Sequence, residues 1–291
     1  MAGLLSGAPP PYGALDPAPR PLPGRDPAGP HTTLALSLPL AAALYLVGMG
    51  LNDLRDRERD RLLHPSRPLP AGRIGPRAAA LALALLGSLS VVLAVLLGGA
   101  AIRCAGALLL LILVYNLLVK DRPLLAPLVM GSIRGVLVLL GGASSGAPWN
   151  PSEPLLIAAA VVSAYGALLT WLSMEEERAR KAALGRRGAA LLLGLVAGAL
   201  TILIHSGIRA VAALAWAGFV AWTWSWSLAP LGGERPRPSL CTYRLLLGFF
   251  LLDAAILLSY DLPVPAGISA GLWLITGGPI FLSPRLRRSN R

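Results

Sequence analysis

Apolar runs close to the ~20 residues that cross a bilayer succeed one another along the chain, at about 33–51, 77–99, 100–119, 124–142, 154–174, 189–207, 209–229, 243–260 and 264–282. Each run is continuously apolar rather than alternating, and a spanning segment must satisfy its own backbone, so each predicts a helix. Together they predict an all-α integral membrane bundle of about nine transmembrane helices. The polar segments between the runs carry a second pattern. Residues 55–77 hold Arg55, Arg57, Arg59, Arg61, Arg67, Arg73 and Arg77, whereas 143–153 hold no basic residue. Lys120 and Arg122, then Arg178, Arg180, Lys181, Arg186 and Arg187, then Arg235 and Arg237, then Arg285, Arg287, Arg288 and Arg291 fall on the same side of a nine-span chain as 55–77. By the positive-inside rule that side is the cytoplasm.

Composition agrees with this pattern. The chain is 55% hydrophobic and 14% charged, against about 25% charged in an ordinary soluble domain. The net charge of +12 is concentrated in the short connections, which makes it a topology signal and gives no reason to expect a nucleic-acid partner. Cys104 and Cys241 have no metal-ligand spacing. Nine prolines between Pro9 and Pro30 mark residues 1–31 as an unstructured tail. Residues 32–285 are then the transmembrane domain, and 286–291 a basic cytoplasmic tail.

The densest polar segment is Asn52-Asp53-Leu54-Arg55-Asp56-Arg57-Glu58-Arg59-Asp60, directly after the first apolar run. At about 100° per residue, Asp53, Asp56 and Asp60 fall within roughly 60° of one another on a helix. Like charges this close repel, so the stripe is stable when cations neutralise it. A hard divalent ion bound to carboxylate oxygens, itself carrying a phosphate, suits such a face. The same alternation of acids with arginines also describes a solvated, salt-bridged helix surface.

Downstream, the prolines of His64-Pro65-Ser66-Arg67-Pro68-Leu69-Pro70 end that helix and turn the chain back, bringing Arg67 and Arg73 toward the acidic face. A guanidinium there could bind a diphosphate or simply anchor the loop to the cytoplasm. Tyr115-Asn116-Leu117-Leu118-Val119-Lys120 ends the third run, where Lys120 also fits a snorkelling role. Arg134 lies about ten residues into the fourth run, a depth at which a charge implies a bundle interior or polar cavity. Glu175, Glu176 and Glu177 form a second acidic cluster, with a solvated loop as the alternative. Asp253 is another intramembrane acid, and Trp222, Trp224 and Trp226 fit an interfacial belt.

Asn52-Asp53-x-x-Asp56-x-x-x-Asp60 with Arg67-Pro68-Leu69 resembles the first aspartate-rich motif of the UbiA superfamily of intramembrane prenyltransferases. The wider stretch from Leu44-Tyr45-x-x-Gly48-Met49 to Pro70-x-Gly72-Arg73-Ile74, with Met130-Gly131-x-x-Arg134, is most similar to the subgroup of EboC-type proteins. The resemblance implies a UbiA-like helical bundle opening laterally to lipid. It also implies Mg²⁺-dependent transfer of a prenyl group from a polyprenyl diphosphate to an unidentified acceptor, with the site on the cytoplasmic side of a bacterial membrane. Carried onto this chain, Asn52, Asp53, Asp56 and Asp60 would hold Mg²⁺. Arg67, Lys120 and Arg134 would surround the diphosphate, and Tyr115 would line the pocket. The family's second aspartate-rich motif is absent, and Glu175 and Glu177 are the candidate ligands in its place. The family's usual first span also has no counterpart. A noncatalytic isoprenoid binder or translocator and a membrane scaffold are the two alternatives.

Overall fold

A computed structural model describes residues 30–143, 151–176, 181–207, 209–227 and 238–282. Its helices are α1 (Pro30–Leu63), α2 (Pro76–Leu97), α3 (Gly99–Val114) continued by a π segment (Tyr115–Val119), α4 (Leu125–Ala143), α5 (Glu153–Glu176), α6 (Lys181–Ser206), α7 (Ala210–Ser227), α8 (Pro238–Ser259) and α9 (Pro263–Leu282). Each expected run has become one helix. Among the described residues, seven are long and apolar enough to cross a bilayer, while α7 and α9 contribute the shorter apolar stretches Ala210–Ser225 and Pro263–Thr276. The expected 1–31 and 286–291 tails lie outside the described residues, apart from the start of α1.

α2 shows why the chain belongs in lipid. Leu81, Leu85, Leu89, Val92 and Leu96 recur every three or four residues and are all exposed. In water this stripe would seek a partner, whereas hydrocarbon is itself the solvent such a face requires.

Helices adjacent in sequence pack side by side, and two cores result. Leu40 and Leu44 of α1, Leu93 and Ala94 of α2, Ala105 and Leu108 of α3 and Leu140 of α4 enclose the first. Tyr165 and Leu169 of α5, Leu195 and Ile202 of α6, Trp216 and Phe219 of α7 and Leu245 and Leu252 of α8 enclose the second. The seam between them is the α4–α5 contact. It is close because Gly131 and Gly135 face Ser163, Ala167 and the Ala159 carbonyl, where a β-carbon on either glycine would collide. α9 docks on α8 through the Ser269 hydroxyl, which donates to the Phe250 carbonyl, and reaches α7 through an edge-on contact between Trp273 and Trp222.

Polar contacts group the connections as the charge alternation requires. Arg209, before α7, pairs with Asp261, after α8, at 3.0 Å. His205 at the end of α6 lies 3.7 Å from Glu153 at the start of α5. On the opposite side, Arg187 near the start of α6 donates to the Trp171 carbonyl near the end of α5.

Candidate functional site

α1 runs unbroken from the apolar stretch through the acidic one, so the polar residues of its last three turns project on faces fixed by the buried part. The two readings of this segment divide between those faces. On the exposed face Glu58 accepts hydrogen bonds from Arg57 at 2.8 Å and Arg61 at 2.6 Å, an ordinary solvated network. On the inward face Asn52 and Asp56, one turn apart, meet Lys120. Its ammonium donates to Asn52 Oδ1 at 2.6 Å and to the Asp56 carboxylate. Lys120 and Asp56 are 18% and 21% exposed, so this charge pair is sheltered but reaches solvent.

Lys120 is placed by the π segment. This stretch widens the last turns of α3 into i→i+5 pairing, an arrangement frequent at functional sites. No sequence signal announced it.

Asp60 occupies a different setting. Its carboxylate is only 7% exposed and accepts from Arg67 Nη1 at 2.6 Å. The 64–75 loop that delivers Arg67 closes on itself: Arg67 N–H donates to the His64 carbonyl, Arg73 N–H donates to the Pro68 carbonyl, and Gly72 takes a φ of 73° suited to a residue without a β-carbon. Among the described residues Asp53, half-buried, has neither a hydrogen-bond nor an ion-pair partner.

Above the Lys120 pair, a cavity of about 240 Å³ opens between α1, α3, the π segment and α4. Asn52, Tyr115, Asn116 and Arg134 supply its polar wall, with Leu44, Met49, Ile112 and Ile133 among its apolar lining. Asn52 therefore belongs both to the cavity and to the Lys120 pair. Asp53 and Asp56 border the site rather than line the cavity. Arg134 is turned inward: its guanidinium lies 4.9 Å from the centre of the Phe249 ring and interacts electrostatically with Asp253, both on α8. Gly166 of α5 makes room for it, since a β-carbon there would sit 3.1 Å from Arg134 Cγ.

Asn52 and Asp56 offer hard oxygen donors, and a cationic group already sits on them. That chemistry fits a small divalent ion at Asn52, Asp53 and Asp56. Asp60 fits less well, because Arg67 neutralises it. Among the described residues no three or more His, Cys, Asp or Glu side chains converge as a metal site. Glu177 and the side chain of Glu175 lie outside the described residues. Asn116 and Phe249 were not singled out by sequence. A polar residue within an apolar run was the only sign of the first, and nothing distinguished the second.

Comparison with known proteins identifies the family and the fold. The family model described as the UbiA prenyltransferase family matches residues 24–234. A digeranylgeranylglyceryl phosphate synthase from Natronomonas pharaonis is 31% identical over 114 residues, covering 38% of this chain and 41% of that protein. The enzyme of the same name from Methanoculleus marisnigri is 35% identical over 116 residues, 38% of this chain and 40% of that one. The chain thus matches about two fifths of the length of these curated relatives. A solved structure concerned with digeranylgeranylglyceryl phosphate synthase in membranes superposes with a TM-score of 0.57 at 18% identity, covering 79% of this chain and 87% of its own. That likeness establishes a shared fold. The EboC-type subgroup rests on the sequence motifs alone.

Proposed function

The chain belongs to the UbiA prenyltransferase family, and we propose that it transfers a prenyl group from a polyprenyl diphosphate to an acceptor at the α1, π-segment and α4 site, on the cytoplasmic side of the membrane. One juxtaposition carries this proposal. Lys120 is bonded to Asn52 and Asp56, and Asn52 shares an apolar-walled cavity with Arg134. A polyprenyl diphosphate needs that combination, with cations for its head beside hydrocarbon for its chain.

Each residue then has a definite task. Lys120 supplies a compact positive charge beside the acidic face, and Arg134 supplies a second from the cavity wall. Arg67 commits one nitrogen to Asp60 and, with its side chain 47% exposed, keeps the rest of its fork for a phosphate oxygen. These fixed charges favour the diphosphate more as it departs and gathers negative charge, so they act on the transition state. Tyr115 and the apolar lining place the first isoprene units and keep water from the carbon they leave behind. Asn52, Asp53 and Asp56 would hold Mg²⁺, with Glu175 and Glu177 as further candidate ligands, and the ion would supply additional neutralisation of the diphosphate.

The test is diphosphate release from geranylgeranyl diphosphate by the full chain in nanodiscs, with Mg²⁺ present or chelated. Mg²⁺-stimulated release supports transfer. Tight binding without release would replace it with the isoprenoid-binder alternative, and neither binding nor release would leave a scaffold.

A further inference from the structure

Asp253 lies inside α8, where a carboxylate is costly unless it faces the bundle interior and a counter-charge. Both conditions are met. Phe249, one turn earlier on the same helix face, has the Arg134 guanidinium 4.9 Å from its ring centre, and side chains one turn apart stand roughly 5–6 Å from each other at their β-carbons. The carboxyl therefore lies beside the guanidinium, and each feels the other's charge. The ring itself is fixed from α5. Tyr165 packs edge-on against it with centroids 4.9 Å apart, and the Tyr165 hydroxyl donates to the Leu245 carbonyl of α8 at 2.8 Å.

Among the described residues, Asp253 makes neither a hydrogen bond nor a contact ion pair, and Arg134 makes no hydrogen bond. The attraction between them thus acts across a gap. It holds the guanidinium while leaving its N–H donors available, whereas a bidentate pair with the carboxylate would have engaged them. Without an interior partner Arg134 would not stay. It sits about 13 Å along α4 from Leu125, and a long cationic side chain extends toward the nearest polar surface, here the cytoplasmic end.

We propose that Asp253 is a positioning residue: together with the Phe249 ring, its carboxylate keeps the Arg134 guanidinium at the cavity wall with its donors turned to the diphosphate-bearing ligand. This rests on the proposed prenyl diphosphate site, because Asp253 acts only through Arg134. A competing effect has the opposite sign, since a carboxylate near an anion site repels the anion. Positioning is the larger effect. The repulsion comes from behind an intervening positive charge and falls with distance, whereas a displaced guanidinium forfeits charge-assisted hydrogen bonds at contact.

Affinity for geranylgeranyl diphosphate, measured on the full chain in nanodiscs as a double-mutant cycle, tests this. Asp253→Asn should weaken binding about tenfold or more, the loss of one charge-assisted hydrogen bond, and Asp253→Glu should retain most of the affinity. In an Arg134→Met background, Asp253→Asn should change nothing. An equal loss in both backgrounds would make Asp253 a packing element and overturn the proposal, as would unchanged or tighter binding in Asp253→Asn alone. If Arg134→Met does not fold, the two Asp253 variants decide, and equal affinities overturn the proposal. If Asp253→Asn does not fold, Phe249→Leu takes its place in the cycle, because it removes the other half of the same anchor and leaves both charges. Diphosphate release on the same preparations separates the two ideas. Release by the wild-type protein with equal losses in both backgrounds removes the role of Asp253 only, whereas binding coupled through Arg134 without release removes prenyl transfer and leaves the anchor in a prenyl diphosphate binder. No binding by the wild-type protein removes both.

Discussion

Lys120 and Asp56 lie 64 residues apart in sequence and meet across two helices, so each sets the other's availability. An ammonium on Asn52 and Asp56 occupies oxygens that a divalent ion would use, while the same charge suits a diphosphate. Lys120→Met should therefore separate two affinities. Mn²⁺ binding, followed by electron paramagnetic resonance, should tighten, and geranylgeranyl diphosphate binding should weaken by about tenfold to a hundredfold, the loss of one charged hydrogen bond. Both affinities falling together would mean that Lys120 only supports the local fold. Arg67→Ala tests the other pair. It leaves the Asp60 carboxylate buried without its cation, and should cost about 1–3 kcal/mol in thermal unfolding, whereas Asp60→Asn, which removes the charge, should cost less. The acidic spacing in the sequence was enough to place Asn52, Asp53 and Asp56 at a common helix end. It did not separate Asp60 from them, because the partner comes from a loop whose path depends on its own turns. Asn116 was still less visible, since an asparagine in an apolar run can face lipid, a neighbouring helix or a cavity until the helix is rotated into place.

At the level of elements, α4 carries both the closest helix contact and the deepest charge. Gly131 lies one turn before Arg134, and a β-carbon on Gly131 would come within 2.8 Å of Ala167 Cβ and press on the Ser163 carbonyl. Gly131→Ala should force α4 and α5 apart, at about 1–3 kcal/mol of overpacking, and shift Arg134 off Phe249. A lowered unfolding temperature together with weakened prenyl diphosphate binding is the expected result. Gly87→Ala in α2 is the matched control, because nothing lies within 4 Å of the added carbon. There the better helix former should leave stability unchanged or raise it by about 0.5–1 kcal/mol. Spacing in the sequence located these helices but not their contacts. Small residues at four-residue intervals occur in several helices, and only the assembled bundle shows which of them meet a neighbour. The π segment was hidden for a related reason, since continuous apolar character describes a helix without fixing its winding.

The whole molecule was the most legible scale. Hydrocarbon length set the number of helices and the arginine distribution set their alternation, both independent of side-chain packing. The ion pair between Arg209 and Asp261 places the α6–α7 and α8–α9 connections on one side, opposite the side that carries Lys120. With Cys104 and Cys241 replaced by serine, Ser66→Cys and Leu262→Cys should react with an impermeant maleimide from opposite faces of sealed vesicles. Reaction of both from the same face would break the topology on which the cytoplasmic placement depends. The proposed prenyl transfer draws on all three scales at once: a spanning bundle, a π segment that delivers Lys120, and an acidic face beside an apolar cavity. Its most direct test follows the prenyl group of isotopically labelled geranylgeranyl diphosphate, using the full chain in nanodiscs supplied with a membrane lipid extract. With Mg²⁺ the label should move into a new organic-extractable product, and Asp56→Asn should lower the rate at least tenfold without loss of folded protein. Label that stays on the diphosphate, or an equal rate in folded Asp56→Asn, would contradict prenyl transfer at this site.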